Sequence, residues 1–195
     1  AIVPLLIGVV AIWRLGLNYY VSERGQLFQS SSQHVAETMR GGIEAEVRLL
    51  RDWVDLSNLS DDVDALVSAT AGRNEDLSGQ EFIDAMLSFD REIWPSLGAG
   101  QEPLKSILTN HVTDRIRQFQ QAHPNVVEVL VTDDRGRIIA ASGKSSDFYQ
   151  ADEEWWTQGA KRSKGAWAEG IAFDDSAGVF SIDFSLPIRR KPNLE

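Results

Sequence analysis

The chain has 195 residues, with 29 acidic against 19 basic side chains and a formal net charge of -10. That balance argues against a nucleic-acid partner, because phosphate contacts need a basic face. Hydrophobic residues make up 43%, enough for a packed core, and the absence of cysteine excludes disulfides, thiol catalysis and cysteine-held metals.

"AIVPLLIGVVAIW" opens the chain without a charge. A complete membrane span needs about 20 apolar residues, so residues 1–14 are expected to be the outer end of a transmembrane helix. Trp13, Arg14, Tyr19 and Tyr20 fit an interfacial anchor. Residues 15–57 read as a long signalling and dimerisation helix. No proline stands between Leu15 and Leu56, and Val21, Phe28, Val35, Gly42, Leu49 and Leu56 recur at a constant spacing. Leu27, Met39, Leu50, Trp53 and Val54 widen the stripe into a coiled-coil-like seam. Such a helix reaches roughly 60 Å, with Gly41-Gly42 as a weak point where it could bend. Part of the seam is expected to meet a second copy in a homodimer; an intrachain helical bundle is the alternative.

Short helices follow. "LSDDVDALVSA" has a cap signal at Ser60 or Asp61, and "LSGQEFIDAMLSFDREIW" carries Phe82, Ile83, Met86 and Leu87 on one side. Leu104 to Ala122 reads as one helix, ended by His123-Pro124. The period then changes from helix to strand. "VVEVLVTDDRGRIIAAS" reads as strand, turn, strand, and "AWAEGIAF" with "GVFSIDFSLPI" as a second hairpin around "DDSAG". In the last strand Phe180, Ile182, Phe184, Leu186 and Ile188 are expected on a core face, with Val179, Ser181, Asp183 and Ser185 on a polar one. The predicted fold is α+β: helices cover one face of a four-stranded antiparallel sheet. Between the hairpins lies "DFYQADEEWWTQGAKR", residues 147–162, expected to cross the other face and bury Trp155 and Trp156 there.

This order resembles the Cache-domain sensors, extracytoplasmic PAS-like modules of bacterial receptors. The likeness covers roughly residues 15 to 190. It rests on the long helix after a membrane segment, "VLVTDDRGRIIAAS", "DEEWW", "AFDDSAGVFS" and the strand ending "LPI". It implies a PAS-like sensor head over residues 58–190 and a fifth strand, which would lie beyond the chain unless this sheet has fewer strands than the family's; residues 191–195 read as a tail, with Leu194-Glu195 resembling a cloning scar. It further implies an inner-membrane signalling receptor (histidine kinase, chemoreceptor or cyclase) with a periplasmic head that binds a small molecule.

Family members that bind amino acids carry Arg, one spacer and Trp-Tyr, then Tyr, one spacer and Asp. Here Glu153 stands at the Arg position, Trp155-Trp156 match Trp-Tyr, and Phe173-Asp174-Asp175 match the later motif. Glu153 repels a carboxylate. The expected ligand is therefore an organic cation such as an amine, enclosed by Trp155, Trp156, Phe173, Glu153 and Asp175. Trp167, Glu169 and Asp183 are second-rank ligand residues.

Catalytic signatures are lacking. His34, His111 and His123 are scattered, and neither HExxH nor GxxxxGK occurs. "DDVDA" and "DDSAG" do not follow the twelve-residue calcium loop. No enzyme activity, cofactor or metal is expected of this region. The rival reading is a structural or partner-binding module without a small ligand.

Overall fold

Apolar residues three and four apart dominate the chain up to Ala122, and helices follow that spacing. The computed structural model describes residues 2–70, 77, 79–160, 166–174 and 178–189. Helix α1, Ile2–Leu56, is one element, so the apolar opening and the expected long helix are continuous. Its backbone stays helical across Gly41-Gly42. Glycine costs a helix only about 1 kcal/mol, which a helix of this length absorbs. Among the described residues no helix is long and apolar enough to cross a membrane.

The chain divides into two compact units, residues 1–49 and 50–195. The first consists of α1 up to Leu49. The second begins with the last turns of α1, whose Trp53 and Val54 pack against Leu59 and Val63. Asn58, at φ 53, turns the chain into α2, Leu59–Thr70. Asparagine is among the few residues that visit that left-handed conformation readily. Helix α3 is Gly79–Glu92, and a 3-10 turn follows at Trp94–Ser96.

The helix expected from Leu104 to Ala122 is two: α4, Leu104–Thr109, and α5, His111–Ala122. Asn110 makes the break. Its side-chain oxygen accepts from Thr113 N at 3.0 Å, capping α5. Its amide donates to the carbonyls of Ser106 at 2.9 Å and Ile139 at 2.9 Å, closing α4 and reaching a strand. One side chain thus satisfies backbone groups on three elements.

Strands β1, Leu130–Thr132, and β2, Ile138–Ala141, pair antiparallel around the expected turn. Helix α6, Glu154–Ala160, comes next. The rest is β3, Trp167–Ala168; β4, Ala172–Asp174; β5, Val179–Ser181; and β6, Phe184–Ser185. The chain is therefore mixed α+β with small antiparallel sheets. In place of four strands, the described residues form six short ones in three two-stranded ladders.

The core lies between the helices and β2, which is buried along its whole length. Ile139 and Ala140 pack with Val54, Leu59, Val112 and Ile116. Ile138 and Ala141 pack with Trp94, Leu104 and Ile107. A strand covered on both sides reads as a continuous apolar run, and "IIAA" is one.

The second hairpin departs from its simple alternation. Trp167 faces Ser185 and Ala168 faces Phe184, but Ala172 faces Ser181 and Phe173 faces Phe180. The pairing slips by one residue between the two ladders, and a slip of one exchanges the faces. The predicted core face is thereby split. Leu186 and Ile188 reach the core, whereas Phe180 is 75% exposed.

Candidate functional site

The site is built from the first hairpin outward. Asp133, buried at its turn, accepts from Arg135 N at 3.0 Å, Arg137 N at 2.9 Å and Arg137 Nε at 2.6 Å. Paired charge and satisfied amides make this turn rigid. Gly136 O accepts from Gln150 N at 2.7 Å, which ties the following segment to it. On the other side Asp90 of α3 accepts from Phe148 N at 2.6 Å and Tyr149 N at 3.0 Å. Burial pushes the Asp90 carboxyl up from its ordinary range, and those two hydrogen bonds partly offset the rise. The approach to α6 is thus held from two elements.

Helix α6 spans from one hairpin to the other. Trp156 Nε1 donates to Thr132 Oγ1 on β1 at 2.9 Å. Gly159 rests on β6, so closely that an added Cβ would lie 2.3 Å from Ser185 Oγ. Only glycine permits that approach.

Trp167 and Ser185 are direct cross-strand partners, and two residues on Glu169 N donates to Asp183 O at 2.9 Å. Side chains two apart share a face, so Trp167, Glu169, Asp183 and Ser185 lie on the face that α6 covers at Ser185. The foot of α6 brings further carboxylates. The Glu153 carboxyl is raised, first by desolvation and then by Asp147, Asp152, Glu169 and Asp183. That of Glu169 is raised by desolvation, then by Asp183 and Glu154. Among the described residues, every charge that shifts either group is negative. The arrangement can attract a cation or hold a proton.

Glu153, Glu169 and Asp183 thus lie in one another's field, Glu153 and Asp183 exposed and Glu169 half-buried, with half-buried Trp167 on the strand face of Glu169 and half-buried Trp155 and Trp156 on the helix. It does not add Phe173 to them. That ring is 52% exposed and packs on Phe180 at 5.2 Å, because the register slip carries it outward. Asp175 lies outside the described residues. Thr132, Gly159 and Ser185 were missed by sequence reasoning. A glycine one turn after a tryptophan on a short helix was the available signal. Among the described residues no group of His, Asp and Glu is arranged to hold a metal ion.

The raised carboxyls have a consequence for stability. The folded chain holds these two protons more tightly than the unfolded chain does. Their ionised forms therefore disfavour the fold above the folded pKa, and the effect vanishes below the ordinary glutamate value. The double variant Glu153→Gln/Glu169→Gln is expected to melt higher than the wild type at pH 7. That gap closes as the pH falls through the glutamate range. Thermal melts at stepped pH check it; a gap that stays constant or widens on acidification contradicts the clustering.

Comparison of the chain with protein-family models, with curated proteins and with solved structures returned no match.

Proposed function

We propose that the chain is the sensing region of a bacterial transmembrane signalling receptor of the PAS-like Cache kind, anchored in the inner membrane, with its head in the periplasm. In this reading α1 carries a displacement, the head takes a small organic cation, and catalysis belongs to a separate output domain. The observation that supports the ligand assignment is that Glu169 N bonds Asp183 O across the ladder that pairs Trp167 with Ser185, while Glu153, at the start of α6, lies in the field of both carboxylates. An ammonium group relieves the repulsion among those carboxylates, and an indole face adds cation–π attraction. Ligand binding would then shift the population of two arrangements of α6.

Isothermal titration calorimetry with a panel of primary and quaternary amines tests this. At least one is expected to bind, and Glu169→Gln is expected to weaken it roughly fivefold to tenfold, about 1 kcal/mol for one lost charge. No heat from any amine with folded protein overturns the cation reading. A second reading has its own support: Ile171, Phe173 and Phe180 are exposed on the second hairpin, as in a head that contacts a protein partner. Silence in the calorimeter favours that reading.

A further inference from the structure

We infer that the ribbon formed by β4 and β5 is a docking edge for an extended, basic segment of another protein, taken up as an added strand. This deepens the partner reading above and does not depend on the amine site. Phe173 and Phe180 are direct cross-strand partners, their rings 5.2 Å apart and both exposed. Ile171, just before β4, and Val179 on β5 are exposed as well. Apolar side chains scattered singly over a surface need no explanation, but a group of them on one short ribbon marks a contact site. The ribbon also has backbone to offer. Among the described residues β4 and β5 pair only with each other, so each has an outer edge. A two-stranded ladder is marginal on its own in water, and a third strand would complete it.

Charge selects the occupant. Glu169 precedes Ile171 by two residues and Asp183 follows Phe180 by three, so both stand at the base of the ribbon. Glu169 N donates to Asp183 O at 2.9 Å, which sets the two residues side by side. The charges acting on Glu169, those of Asp183 and Glu154, are both negative. A second copy would bring this acidic base against its own like, and the chain's formal net charge of -10 adds to the repulsion. Lipid phosphates meet the same repulsion, which disfavours a membrane surface. A polypeptide with Lys or Arg among its apolar side chains meets every need. Its apolar side chains cover the two phenylalanines, its cations sit beside Glu169 and Asp183, and its amides and carbonyls pair with the open edge.

The probe is a fluorescein-labelled peptide of about nine residues, within the usual length of a strand, with valine and lysine alternating. Fluorescence anisotropy reads its binding to the full chain. A Kd below about 100 µM is expected, and the valine–glutamate counterpart should bind at least about tenfold more weakly. Phe180→Ser should weaken the lysine peptide about fivefold or more. That side chain is exposed, so the variant keeps its fold. N-methylation of the peptide's backbone amides should abolish binding, because it removes the donors a ladder needs. No binding of the lysine peptide overturns the proposal, and so does equal binding of the glutamate peptide. Binding that Phe180→Ser leaves unchanged also overturns it, since it marks attraction to the acidic surface alone. Binding that survives N-methylation but falls in Phe180→Ser overturns strand addition while leaving the partner reading in place.

Discussion

Gly136→Ala is expected to cost the second unit about 3 kcal/mol or more of stability. Two effects add. Gly136 sits at φ +84, where an L side chain is strained. The new Cβ would also lie 2.4 Å from Ala151 Cβ, 2.7 Å from Ala151 N and 2.9 Å from Ala151 Cα. Two of those are backbone atoms, which no rotamer change moves away. The loop cannot retreat either, because Asp133 holds Arg135 and Arg137 and Gly136 O holds Gln150 N. The variant must give up one set of bonds or the other. Urea denaturation measures the loss; a midpoint unchanged from wild type contradicts the close packing of this turn on residue 151. Because α6 begins three residues after Ala151, the cation binding proposed above should fall together with stability.

Trp94→Ala should cost about 3–5 kcal/mol, the range for removing a buried large aromatic. Trp94 is 1% exposed. Its ring lies 5.5 Å from that of Phe148 and 6.4 Å from that of Phe89. Its Nε1 donates to Ser145 O at 3.0 Å. Truncation opens a cavity beside Leu104, Ile107 and Ile138, and leaves the Ser145 carbonyl without its donor. Trp94→Phe keeps most of the packing and loses the hydrogen bond, so its cost should be distinctly smaller. Chemical denaturation of both variants separates the two contributions. A loss under about 1 kcal/mol for the alanine variant would show that this cluster is not a core.

The helical part of the fold is legible in the sequence because its signals are local. Val63, Leu66 and Val67, or Phe82, Met86 and Leu87, repeat at helical spacing whatever surrounds them. The first hairpin is legible for the same reason: a turn with glycine stands between two apolar runs. What the sequence conceals is settled over distance. Asn110 breaks a periodic helix because its amide finds Ile139 O, a partner 29 residues away. The register slip in the second hairpin moves Phe173 and Phe180 outward, and nothing in "AFDD" or "GVFS" announces it. The site divides along the same line. Glu169 and Asp183 meet across a ladder, so they ranked low by motif although the fold sets them in each other's field. Phe173 ranked high by motif and is turned away.

The seat of Gly159 on Ser185 has a mechanical corollary. Ser185 Oγ is buried and, among the described residues, has no hydrogen-bond partner. Glycine offers it no side chain. No directional bond therefore crosses this contact, while one turn earlier the indole of Trp156 is tied to Thr132. A short rod pinned by one bond and seated by shape alone at the next point owes its angle there to close fit, so any bulk added at that seat is felt as a tilt.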